Sequence, residues 1–140
     1  MARVLIVPCG CRGQALAREL VAAGHIVRGT TRDPSRTAAI DAAGAEPFVG
    51  DPDRIGTLMD ALAGVTVVCW LFGTIADADL HGPRLRMLLE KVVDTPVRGV
   101  VYESGEGGAS IARDAAVRWR IPVEIVAVGG AGAAISRLLG

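Results

Sequence analysis

Lysine is nearly missing from these 140 residues: Lys91 is the only one, and arginine carries the rest of the positive charge. Basic and acidic residues balance at 15 each, for a formal net charge of zero. No general field would draw the chain to nucleic acid or to an anionic membrane, so neither is expected as a partner. Cysteine is scarce and odd in number. Cys9, Cys11 and Cys69 make no disulfide framework, which predicts a reducing, cytoplasmic setting. Cys69 sits in an apolar run and reads as core. Histidine occurs only twice. His25 and His81, with Asp77 and Asp79 nearby, lack the spacing of a zinc site and read as solvated loop and helix-start residues. No Ser-His-Asp spacing supports a hydrolytic triad, and no Gly-Lys-Ser/Thr run forms a phosphate loop of that kind. The most apolar run, Val65–Gly73, is far short of the ~20 residues of a spanning helix. Val4–Val7 has no longer apolar region behind it, so a secretory signal is not expected.

What is present is 51% hydrophobic, enough for a substantial core. Short β-rich runs alternate with segments of helical period. Strands are predicted at Val4–Val7, from Ile26, at Pro47–Val49, Val65–Phe72, Val97–Tyr102 and Pro122–Val128. Helices are predicted at Gln14–Ala23, from Pro34 to near Gly44, after Asp53 through Leu62, over Leu85–Val92 and over Ile111–Trp119. Ile55, Leu58, Met59 and Leu62 make an i, i+3, i+4, i+7 stripe, as do Leu85, Leu88, Leu89 and Val92. Asp51 or Asp53 can cap the former. This alternation implies right-handed crossovers and a parallel sheet. The expected architecture is a three-layer, doubly wound α/β Rossmann fold with about six strands in the order 3-2-1-4-5-6. Residues 1–128 make the domain, and 129–140 a tail with a short helix around Ile135–Leu139 or frayed ends.

The first strand–helix junction reads Val7-Pro8-Cys9-Gly10-Cys11-Arg12-Gly13-Gln14. A pyrophosphate at such a junction needs backbone amides that approach without a Cβ in the way, and a helix N-terminus behind them. Gly10 and Gly13 meet that need, with Cys11 and Arg12 between them. Pro8 stands where the G-x-G-x-x-G fingerprint has its first glycine, so the tight turn must be made differently. Cys11, at the helix start, is also the fairer candidate for a reactive thiol. The second strand ends Thr30-Thr31-Arg32-Asp33-Pro34. An NAD site places an acid there for the ribose 2′-hydroxyl. Here Arg32 can bond a 2′-phosphate, with Thr31 adding a hydroxyl, or can be a solvated loop residue. NADP(H) is therefore the expected cofactor, and Asp33 keeps NAD(H) as the lesser alternative.

These residues resemble the NAD(P)-binding half of the extended and atypical short-chain dehydrogenase/reductase superfamily, including its NAD-dependent epimerase/dehydratase-like members. The likeness runs from Val4 to about Gly73 and more loosely to Val128. It implies that Asp51, in Val49-Gly50-Asp51, bonds the adenine amino group, unless it is a cap. It also implies that the backbone at Leu71-Phe72-Gly73 passes the nicotinamide ribose. Catalysis in the superfamily uses a Tyr-x-x-x-Lys pair. The only tyrosine here is Tyr102, position 106 is Glu106, and Lys91 precedes them. Ser104 resembles the superfamily's serine at the end of the fifth strand and is the one catalytic candidate, or a turn residue. Gly105-Glu106-Gly107-Gly108 either admits a ligand to the strand edge or is a βα loop. The expectation is a dinucleotide-binding or sensing protein without the Tyr-x-x-x-Lys pair. The alternative is a small NADP(H)-dependent oxidoreductase whose proton comes from water, Ser104, Glu103 or the substrate. A small molecule or a protein partner is left unidentified, and a homodimer is left open.

Overall fold

The computed structural model describes residues 2–104 and 107–139. Six strands form one parallel sheet: β1 (Arg3–Val7), β2 (Ile26–Thr31), β3 (Glu46–Val49), β4 (Val67–Trp70), β5 (Gly99–Glu103) and β6 (Val123–Val126). Their order is β3-β2-β1-β4-β5-β6, as the alternating pattern predicts. Around them lie α1 (Cys11–Ala22), α2 (Thr37–Ala42), α3 (Pro83–Val92), α4 (Gly108–Trp119) and α5 (Ala131–Leu139). No described helix is long and apolar enough to cross a membrane.

Strand alternation divides the core in two. Leu5, Val7, Val68, Trp70, Val100 and Tyr102 face α3 and α4. Val4, Ile6, Val67, Cys69 and Val101 face α1, α2 and α5. Because side chains alternate along a strand, Glu103 at the end of β5 is directed toward α1 and away from the Tyr102 side. The tail forms a full helix: α5 packs on β4, β5, β6 and α1, with Ala131, Ala134 and Ile135 buried.

The helix expected after Asp53 through Leu62 is instead two 3-10 turns, Ile55–Leu58 and Asp60–Leu62. Thr57 supplies a physical reason. Its hydroxyl bonds back to the carbonyls of Arg54 at 2.7 Å and Asp51 at 3.1 Å, and it receives the Asp51 amide at 2.7 Å. Those bonds compete with the α-helical ladder, and Gly56 beside it weakens that ladder further. No side chain caps the Ile55–Leu58 turn, so neither Asp51 nor Asp53 is its cap. Asp51 accepts the Asp53 amide instead, at 2.9 Å.

His81 also departs from expectation. It is not solvated but fully buried, with both ring nitrogens bonded. Nδ1 lies 2.6 Å from the Tyr102 hydroxyl, and Nε2 lies 2.8 Å and 3.0 Å from the carbonyls of Phe72 and Ile75. Together with the Trp70 Nε1 bond to the Leu80 carbonyl at 2.8 Å, these contacts fix the loop that follows β4.

Candidate functional site

The strand order reverses between β1 and β4, which opens a crevice outside their carboxyl ends. Its first wall is the loop from β1 to α1. A cis peptide joins Val7 and Pro8, and the Cys9 amide donates to the Thr30 carbonyl at 2.8 Å. Gly10 precedes α1 in an extended conformation, and no side chain caps the helix. The first helix turn also contains no acid. Its amides thus have no intrahelical acceptor and retain their partial positive charge.

The two glycines of this loop do different work. A Cβ on Gly10 would meet nothing within 4 Å, so that side of the loop is open. A Cβ on Gly13 would lie 2.9 Å from the Pro8 carbonyl oxygen and 3.1 Å from Ile6 Cγ2. Gly13 therefore lets α1 lie close on β1, and Gly10 leaves room for an anion to reach the amides. Cys9 is packed beneath them; burial pushes its thiol up to about 11. Cys11 is exposed on the first turn of α1.

A cleft of about 480 Å³ runs from this loop to the end of β2 and across to the loop after β4. Gly10, Thr31 and Arg32 all line it. So does Arg36, which sequence reasoning missed. The visible signal was its place four residues beyond Arg32 on the far side of the Pro34 turn. Asp33 lines the same cleft, but its carboxylate is engaged locally. It accepts the Ser35 hydroxyl at 2.8 Å and the Ser35 amide at 2.9 Å, which hold it below the usual carboxylate range. The Thr31 hydroxyl receives the Asp33 amide at 3.1 Å. Arg32 is exposed, and its nearest carboxylate is Asp53 at 3.8 Å. Gly50 and Pro52 line the cleft but Asp51 between them does not, and Phe72, Ile75 and Leu80 form its far wall together with Asp77.

Cys11, Arg12, Gly13, Leu71 and Gly73 do not line that cleft either. Arg12 turns to Glu103, with Nη1 and Nη2 each donating to a carboxylate oxygen at 2.7 Å. Nη2 also reaches the Leu71 carbonyl at 3.4 Å. The amides of Gly73 and Gly129 donate to the same carboxylate at 3.1 Å and 3.4 Å. Burial would push the Glu103 carboxyl up, but the Arg12 bonds and the two amides outweigh it and hold it below its usual 4.5. Glu103 is thus an ionised tie between loops, which removes it as a proton donor. Arg12, Leu71 and Glu103 line a second cavity of about 530 Å³ between α1 and α5. Ser104 is half-buried at the end of β5, its amide bonded to the Val126 carbonyl at 2.9 Å. Gly105 and Glu106 lie outside the described residues.

Comparison with known proteins supports the fold and the family. A family described as NAD(P)H-binding matches residues 10–119. No curated protein sequence matches the chain. Among solved structures, Citrobacter sp. triphenylmethane reductase complexed with NADP(H) superposes with a TM-score of 0.73 at 18% identity, over 91% of this chain and 49% of that one. A Bacillus halodurans protein described as an NAD-dependent epimerase/dehydratase gives a TM-score of 0.76 at 18% identity, over 91% of this chain and 70% of that one. An NADPH-dependent quinone oxidoreductase from Escherichia coli gives 0.61 at 16% identity, over 88% of this chain and 46% of that one. The chain therefore spans about half the length of the two reductases, and at these identities the likeness is one of fold.

Proposed function

The chain belongs to the NAD(P)H-binding family, and from that membership we propose that it binds NADP(H) in preference to NAD(H) without Tyr-x-x-x-Lys catalysis. The pyrophosphate would rest on the first turn of α1 beside Gly10, where the amides and the helix dipole favour an anion. The 2′-phosphate would rest at the end of β2.

One observation carries the cofactor choice: Arg32 and Arg36 line the same cleft, while the only acid between them, Asp33, takes Ser35 on Oδ1 and lies only loosely, 3.8 Å, from Arg36 Nε through exposed Oδ2. A free carboxylate there would favour the 2′-hydroxyl of NAD(H) and repel a phosphate. Two guanidinium groups do the reverse. The ion pair between Arg32 and Asp53 is long and exposed, so it is worth ~0–1 kcal/mol and would not hold the side chain back. Charge-assisted contacts to a phosphate are worth ~1.5–3 kcal/mol.

Binding without turnover is supported by the placement of the residues a catalytic pair would need. Tyr102 is bonded to buried His81, and Lys91 is exposed on α3. A sensor that acts through a partner fits this arrangement. The alternative, a small NADP(H)-dependent oxidoreductase, draws on the superfamily resemblance and on structural neighbours of which this chain spans only part.

Calorimetry with the four nucleotides tests the reading. NADP(H) should bind at least about tenfold more tightly than NAD(H). Arg32→Ala and Arg36→Ala should each shrink that ratio while leaving NAD(H) binding nearly unchanged. Equal dissociation constants in the parent protein, or a ratio that neither substitution moves, would sink the assignment.

A further inference from the structure

A doubly wound sheet offers two mononucleotide places, one over the ends of the first three strands and one over the last three. In this chain the two are not alike. Over β1 and β2, and reaching across to the loop after β4, lies the open cleft with Gly10, Arg32 and Arg36. Over β4–β6 lies the Glu103 carboxylate, with a side chain only 1% exposed.

This carboxylate already uses the polar groups a ligand would need there. It takes both terminal nitrogens of Arg12 and the amides of Gly73 and Gly129. It thereby ties the loops after β1, β4 and β6 to the end of β5. The loops after β4 and β6 close on it from one side: a Cβ on Gly73 would lie 2.9 Å from Val128 Cγ2 and 3.0 Å from Glu103 Cβ. Displacing the carboxylate would unpair it from Arg12, which strongly opposes entry of the uncharged ring of NADPH and would set the cationic ring of NADP⁺ against the freed guanidinium. Consistently, no described residue from the ends of β5 or β6 lines the cleft. Glu103, Val128 and Gly129 line the separate cavity behind Arg12.

Building on the NADP(H) reading above, we propose that the protein holds its ligand by the adenosine 2′,5′-bisphosphate half, with Glu103 filling the second place and the nicotinamide ring left in solvent. Glu103 is then the specificity-determining residue. The ligand class is adenine nucleotides bearing a 2′-phosphate, and the oxidation state of the ring is not read.

The test uses the unaltered protein. NADP⁺, NADPH and adenosine 2′,5′-bisphosphate should have dissociation constants within about threefold of one another. Nicotinamide mononucleotide should not compete, and bound NADPH should show neither enhanced nor blue-shifted emission. NADPH binding about tenfold tighter than the bisphosphate, or a blue-shifted emission, overturns the inference and leaves the NADP(H) reading standing. Failure of both NADP(H) and the bisphosphate to bind overturns that reading and the inference with it. Glu103→Ala opens the second place, so in a folded variant NADPH should gain on the bisphosphate by about tenfold. A folded variant with an unchanged ratio would show that Glu103 is not what excludes the ring. The comparison in the parent protein decides the question if the variant does not fold.

Discussion

Tyr102 and His81 share a buried hydrogen bond whose direction follows from the far side of the imidazole. Nε2 faces two carbonyl oxygens, so it carries the proton. Nδ1 is then an acceptor, and the tyrosine hydroxyl donates to it. Gly108 is required beside this pair, because a Cβ there would collide with the Tyr102 hydroxyl and lie 2.6 Å from the His81 carbonyl. Tyr102→Phe keeps the ring and removes the donor, leaving a buried nitrogen unsatisfied. The expected loss is ~1–3 kcal/mol of stability in urea denaturation. NADPH affinity should stay within about threefold by calorimetry, since the hydroxyl lies on the face away from α1. A large loss of affinity with unchanged stability would place the hydroxyl at the ligand. That Tyr102 sits in a strand and has no lysine four residues on was legible in the sequence. That His81 is its partner was not, because the two are 21 residues apart and meet only through the fold of the loop after β4.

At the scale of the element, the turn into α1 separates binding from folding at two glycines three residues apart. Gly10 is extended, with φ of −81° and open space where a Cβ would be, so Gly10→Ala should fold as the parent does. Its methyl group would stand where the pyrophosphate must approach the amides, so NADP(H) affinity should fall about tenfold or more. Gly13→Ala should do the opposite first. Its Cβ would press on the Pro8 carbonyl, a backbone atom that cannot turn aside, and would force α1 off β1. Overpacking of this kind costs ~1–3 kcal/mol, visible as a lower melting temperature. If Gly10→Ala melts early and binds normally, the two roles have been assigned backwards. The sequence made these glycines legible because a strand, a glycine pair and a helical stripe fall in one order along the chain. It misled between Asp53 and Leu62, where the apolar spacing satisfies an α-helix but Thr57 and Gly56 break the ladder. Periodicity reports which face is buried. It does not weigh a threonine hydroxyl against the backbone bonds it replaces.

For the whole molecule, the sheet order follows from local patterns, whereas the tie across its carboxyl edge joins residues 91 apart and has no local signature. Arg12 in the sequence reads as part of the cofactor-binding loop between Gly10 and Gly13. In the structure it binds Glu103 and so couples the first strand–helix loop to the ends of β4, β5 and β6. That coupling makes stability depend on acid in a defined direction. The Glu103 carboxyl is held below its usual 4.5, so in acid the unfolded chain takes up a proton that the folded chain still resists. The stabilisation is therefore complete above about pH 4.5 and is lost as the pH falls through the lowered value of the folded state. Asp33 is shifted the same way, but it is fully exposed and is present in any variant at position 103, so it drops out of the comparison. Glu103→Gln should melt below the parent at neutral pH, because the amide cannot match both terminal nitrogens of Arg12. Its melting temperature should then change less between pH 6 and acid, and the two curves should converge as Glu103 in the parent becomes protonated. Melting curves followed by circular dichroism over that range decide the matter. Parallel curves with a constant offset would mean that the charge on Glu103 adds nothing to the tie, and that its shape alone holds the loops together.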